Sequence, residues 1–151
     1  MISYMMKLPA FMKKNIHGFT LIELLIVISI IGILSTFFIV NVQVFRTRSR
    51  DGQRKKDLRT VQTALELYRT DAGAYPASPL PTCNQPLRDA SATITYLAKF
   101  PCDPNTNTAY TYSVSGSTYS LYACLENSSD ADKDSTKQTS CTTASFTVTN
   151  P

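Results

Sequence analysis

The chain has 151 residues, 43% of them hydrophobic and 17% charged, with a formal net charge of +4 at pH 7. That length suits one domain, and no internal repeat is visible. The single histidine, His17, precedes a long apolar run, so Ser-His or Cys-His catalysis is excluded in everything after it. No glycine-rich phosphate loop is present either, and an enzyme is not expected.

The charge is unevenly placed. Residues 1–18 carry Lys7, Lys13 and Lys14 and no acid. Residues 46–59 hold seven bases (Arg46, Arg48, Arg50, Arg54, Lys55, Lys56, Arg59) against Asp51 and Asp57. From residue 60 onward five bases meet eight acids, so the basic character is a collar and the rest is slightly acidic. Between the two basic segments, residues 19–44 contain one charge, Glu23. As a helix these residues would span about 39 Å, enough for a ~30 Å hydrocarbon core. A carboxylate so placed costs ~2.5–3.5 kcal/mol on insertion scales and calls for a cationic partner at its own depth. Cutting the chain after Gly18 would create one, the α-amino group of Phe19.

Gly18-Phe19-Thr20-Leu21-Ile22-Glu23, followed by that apolar run, resembles the class III signal of type IV pilins and type II secretion pseudopilins. The resemblance implies that a prepilin peptidase cuts between Gly18 and Phe19 and that the new N-terminus at Phe19 is N-methylated. It also implies that Glu23 pairs with that amine on a neighbouring subunit during assembly. Residues 1–18 are then a cleaved leader; a start at Met12 would give a shorter basic leader, Met-Lys-Lys-Asn-Ile-His-Gly, typical of the family. The positive-inside rule alone would hold the collar in the cytoplasm. The signal motif and the four downstream cysteines place it outside, N-in and C-out.

No proline interrupts the chain between the apolar run and Pro76, which predicts one helix over 19–72. Residues 19–45 form its transmembrane and filament-core half and residues 46–73 its amphipathic half. Many pilins have a proline where this chain has Val40, a position at which the helix melts on assembly. Ser29, Gly32 and Thr36 fall on one face that would let neighbouring helices approach closely. Farther on, Leu58, Val61, Leu65, Tyr68 and Ala72 recur at helical spacing and predict a buried stripe. Gly73 suits the left-handed C′ position, and Tyr75-Pro76 prevents continuation. The collar has two readings: lipid headgroups and inter-helix ion pairs, or DNA, the latter in a DNA-uptake filament.

Residues 74–151 read as a C-terminal globular β domain, loop-rich to residue 108. Within it Ile94 to Pro104 resembles the Tyr-Leu…Pro-x-Asp-Pro segment of major pseudopilins, with Asn105 where that family usually has tryptophan. Period-two alternation then predicts strands at 109–114, 118–125 and 143–149, the first two joined through Ser115-Gly116-Ser117. The fold class is α+β: a long N-terminal helix, half transmembrane and half amphipathic, packed on a small antiparallel three-stranded sheet. Cys83, Cys102, Cys124 and Cys141 form an even set that suits disulfides in an oxidising compartment. The strand positions favour Cys124–Cys141 and Cys83–Cys102, with two other pairings open. No metal or other cofactor is expected from the residues. Asp130, Asp132 and Asp134 have a calcium-like spacing, and major pseudopilins bind calcium in a loop of this region. An EF-hand fails, since Ser135 and Cys141 stand where its glycine and glutamate would be.

The resemblance implies a structural subunit of a type IV pilus or pilus-like filament, or a major-type pseudopilin of a type II secretion or DNA-uptake system. Its implied partners are copies of itself, the prepilin peptidase, the membrane, and an assembly platform with its ATPase. Its implied place is the cytoplasmic membrane, as a single-pass protein, and then an extracellular or periplasmic filament.

Overall fold

The computed structural model describes residues 18–150, with only the backbone described at 37–41. Most of the expected leader, residues 1–17, including the alternative start at Met12, lies outside the described residues. The chain divides into two compact units, one ending at Val40 and the other beginning at Asn41. Helix α1, Leu21–Ala72, supplies residues to both.

In the first unit α1 begins two residues later than expected. Thr20 is the reason: its Oγ1 accepts a hydrogen bond from the Glu23 N–H at 3.3 Å, and its carbonyl accepts the Leu24 N–H at 3.2 Å. Thr20 is therefore the N-cap, and Thr20-Leu21-Ile22-Glu23 has the order of a capping box. Ser29 and Ser35 donate to the carbonyls four residues earlier, and Thr36 to that of Ile33, at 2.7–2.8 Å. These hydroxyls need no outside partner in an apolar setting. The apolar side chains from Leu21 to Leu34 are 42–84% exposed. Among the described residues no helix is long and apolar enough to cross a membrane. The described side chains of the run, 21–36, span about 24 Å against a ~30 Å core; in sequence the run continues to Val44.

The second unit holds the rest of α1 and two antiparallel sheets. β1 (Leu87–Arg88) pairs with β2 (Thr95–Leu97). β3 (Thr111–Ser115), β4 (Thr118–Leu125) and β5 (Ala144–Thr149) form a sheet in the order β3-β4-β5. The register sets Tyr112 opposite Leu121, and Leu121 opposite Val148, so apolar residues of three strands share one face. Gly116 opens the two-residue hairpin loop at φ 57°, the sign that such turns require. The three expected strands are all present. The small β1–β2 sheet lies within the segment whose prolines predict loop.

Leu58, Val61 and Leu65 are fully buried and meet Leu121, Tyr112, Tyr119, Phe146 and Val148 in one core. Two expected stripe members are corrected. Tyr68 is half-buried and stacks edge-on with Tyr96, and Ala72 is exposed because the helix is already ending. Gly73 caps it at φ 76°, its N–H bonded to the Arg69 carbonyl at 2.8 Å. Tyr75 then turns back into the core, and its hydroxyl donates to Glu66 at 2.9 Å.

Candidate functional site

Gly18, Phe19 and Thr20 precede α1 and are exposed. A side chain built on Gly18 would meet nothing within 4 Å, so the fold itself does not demand glycine there. Glu23 lies in the exposed first turn of α1. None of the ion pairs among the described residues involves it.

The collar is built differently from its sequence reading. Asp51 and Arg54 continue the buried stripe toward the N-terminus, two turns and one turn ahead of Leu58, and Asp57 is buried beside it. Asp51 is completely buried. Its carboxylate accepts from Arg54 Nη1 at 2.7 Å and from the backbone N–H groups of Glu126 and Asn127 at 3.0 and 2.8 Å. Arg54, 3% exposed, also reaches Asp103 with Nε at 2.6 Å and Nη2 at 3.1 Å, and Glu126 with Nη1 at 2.9 Å. Arg50 forks onto the Glu126 carboxylate as well. One guanidinium thus ties α1 to two loops, the one carrying Asp103 and the one that follows β4. Burial pushes the Asp103 carboxyl up, but the Arg54 guanidinium and the N–H groups of Thr106 and Asn105 outweigh it and hold its pKa at about 2. The hydrogen bond from Arg50 holds Glu126 below the usual carboxylate range. Asp57, accepting from Gln53 and the Tyr110 hydroxyl, is pushed up by burial. Arg59 lies over the Phe146 ring at 5.6 Å.

The loop after β4 is closed by the Cys124–Cys141 disulfide, with Cα atoms 5.2 Å apart. Closing a loop of this size contributes about 3 kcal/mol in the chain-entropy model. Lys55 Nζ reaches Asp130 at 2.8 and 3.0 Å and Asp132 at 2.8 Å. Asp134 turns the other way, accepting from Ser145 Oγ at 2.5 Å, Thr147 Oγ1 at 2.7 Å and the Thr147 N–H at 3.1 Å. It thereby satisfies an edge donor of β5 that the sheet leaves unpaired.

Residues 42–141, from α1 through the disulfide-closed loop, match the family model of type II secretion system protein G. The chain belongs to this family. Residues 13–39 match the prokaryotic N-terminal methylation motif, which contains Gly18, Phe19 and Glu23. The chain is 31% identical over 136 residues to the type II secretion system core protein G of Pseudomonas aeruginosa, covering 81% of this chain and 94% of that one. It is 39% identical over 70 residues to the type IV major pilin PilA of Myxococcus xanthus, covering 46% of this chain and 31% of the pilin. It is 35% identical over 83 residues to the type IV wide pilus major component PilA4 of Thermus thermophilus, covering 55% and 63%. No solved structure matches the chain significantly.

For this protein G family member one expected pairing is not made in the structure. Only one of the two disulfides is formed: Cys83 and Cys102 are half-buried thiols. Cys83 Sγ faces the Asn107 carbonyl at 3.8 Å, and Asn84 Nδ2 donates to Cys102 Sγ at 3.6 Å. Burial and the hydrogen bond with the neighbouring Cys102 push the Cys83 thiol up to about 11. Of the three aspartates with calcium-like spacing, Asp134 is turned to Ser145 and Thr147 of β5, and Lys55 reaches Asp130 and Asp132. Among the described residues no three acids, histidines or cysteines are grouped to hold a metal.

The clamp of Asp51, Arg54, Asp103 and Glu126 is what the sequence reading missed. The signal was available: Asp51 and Arg54 stand three residues apart and in phase with Leu58, Val61 and Leu65. The pseudopilin-like segment ending in Asp103-Pro104 pointed to the right loop without giving the aspartate its role. The collar is corrected too, since Arg50, Arg54 and Lys55 are consumed inside the subunit and leave less charge for lipid or DNA.

Proposed function

We propose that this chain is a structural subunit of a type IV pilus or pilus-like filament. It is made as a precursor, held in the cytoplasmic membrane N-in and C-out by residues 19–44, cut after Gly18 and methylated on Phe19. An assembly platform and its ATPase then add it to a helical homopolymer, outside the cell or in the periplasm. The observation that carries this reading is the methylation motif over residues 13–39, set against an apolar helix face that stays exposed from Leu21 to Leu34. Such a face must be covered by lipid before assembly and by other copies afterwards. Ser29, Gly32 and Thr36 present small side chains for that packing. Glu23 would neutralise the amine of Phe19 on an adjoining subunit, because each charge is costly alone in an apolar core.

The test is Glu23→Ala, with membrane-held subunit and sheared filaments measured together. The subunit should be inserted, cut and folded as in the wild type, while filament yield falls steeply. Normal filament yield rejects charge pairing, and equal loss of the membrane-held subunit reassigns Glu23 to folding.

A second reading, a major pseudopilin of a type II secretion system, is favoured by the protein G match over 42–141 and the 94% coverage of the Pseudomonas core protein G. The two readings share processing and assembly. They differ in what deletion of the gene abolishes: surface filaments for the pilin, export of folded proteins for the pseudopilin.

A further inference from the structure

We propose that the Lys55 ammonium is the resident cation of the 126–134 loop, so that this subunit holds the loop without divalent metal. The inference concerns folding of the subunit and stands whichever filament the subunit builds.

The donor set decides it. Calcium takes six to eight oxygens at about 2.3–2.6 Å, most of them carboxylate or carbonyl. Here every acid of the loop is already turned toward a nitrogen or hydroxyl donor of this chain. Glu126 accepts from Arg50 and Arg54. Asp130 presents both oxygens to Lys55 Nζ, and its Oδ1 also accepts the Asp132 N–H at 2.9 Å. Asp132 gives Lys55 its Oδ2. Asp134 is spent on Ser145 and Thr147. A lysine offers three N–H donors and no acceptor, and Asp130 and Asp132 supply three oxygens at 2.8–3.0 Å. The three oxygens match the three N–H donors of one ammonium.

The position of Lys55 gives this arrangement its reach. It follows Arg54 directly in α1, so the clamp that fixes Glu126 and Asn127 also brings Asp130 over the Lys55 side chain. The lysine side chain is 19% exposed and Asp130 13%, which shelters the pair from full solvent screening. Burial lowers the pKa of Lys55, but the hydrogen bonds from its ammonium to Asp130 and Asp132 outweigh that and hold it above the ordinary lysine value. The cation therefore stays charged at neutral pH. A metal entering here would have to displace a like charge that the backbone keeps within reach.

The test uses the full-length chain in detergent, melted with calcium chloride at millimolar concentration and, separately, with EDTA. The wild type should melt at the same temperature in both. Lys55→Met should lower the midpoint by about 2–5 °C, the scale of one half-sheltered ion-pair cluster. It should also speed proteolysis between residues 126 and 134. In a double-mutant cycle, Lys55→Met with Asp130→Asn should cost less than the sum of the single changes. A wild-type midpoint that rises saturably with calcium overturns the proposal, as does a Lys55→Met variant that keeps both the wild-type midpoint and the wild-type proteolysis. If Lys55→Met does not fold, the wild-type comparison with Asp132→Asn carries the same decision.

Discussion

Replacing Asp51 with alanine should damage the subunit more than any other single polar change in α1. The side chain is wholly buried and accepts three hydrogen bonds, one from Arg54 and two from the backbone N–H groups of Glu126 and Asn127. Arg54 keeps Asp103 and Glu126, so its charge is not stranded. The two backbone donors lose their only partner among the described residues. Each buried donor left without an acceptor costs about 1–3 kcal/mol, and the weakened ion pair adds to this. The sum, about 3–5 kcal/mol, matches the usual cost of removing one partner from a buried charge cluster. For a unit of this size that is a fall in melting midpoint of roughly 10–20 °C. Asp51→Asn keeps the shape and one acceptor oxygen and should fall between wild type and alanine. Circular dichroism melts of the full chain in detergent would measure the series. A midpoint for Asp51→Ala within about 3 °C of wild type would refute the clamp, because it would mean a loss under ~1 kcal/mol.

Acid should loosen the same clamp. Asp103, at about 2, Glu126 and Asp130 all have carboxyls held below their ordinary range. Depressed carboxylates add stability that is complete above the unfolded-state pKa, near 4, and is lost as pH falls toward the folded value. The melting midpoint should therefore drop between about pH 4 and pH 2, and Asp103→Asn should flatten that drop; an equally steep fall in the variant would count against it. Asp57, shifted upward, works in the opposite sense and opposes part of the effect. Alkylation of unfolded, unreduced protein should modify Cys83 and Cys102 and spare Cys124 and Cys141, which react only after reduction. Finding no free thiol would return the second disulfide.

What could be read from the sequence followed from residues whose chemistry is periodic. Tyr112 and Val114, and Tyr119, Leu121, Ala123 and Leu125, alternate in a way that only a half-buried strand uses. Leu58, Val61 and Leu65 mark a helix face equally well. Asp51, Arg54 and Asp57 were illegible by the same rule, since hydrophobic periodicity treats a charge as solvent-facing. Their burial depends on partners at Asp103, Tyr110 and Glu126, about fifty to seventy-five residues away in sequence, and no local pattern encodes that distance. Strands β1 and β2 were missed because two or three residues are too few to alternate. Asp130, Asp132 and Asp134 share a spacing that a metal loop also uses. Which way each carboxylate turns is set by Lys55 on one side and Thr147 on the other. The Thr20 cap was legible as threonine three residues before Glu23, in the same residues that carry the processing signal.

The central claim is that the mature subunit begins at Phe19 and polymerises. Intact-mass analysis and N-terminal sequencing of filaments sheared from cells making this chain, beside cells making Gly18→Glu, test it most directly. The account predicts a subunit that starts at Phe19 with one added methyl group, and in the variant an uncut precursor with no filaments. Filaments whose subunit retains residues 1–18, or Gly18→Glu filaments that still begin at Phe19, would contradict it.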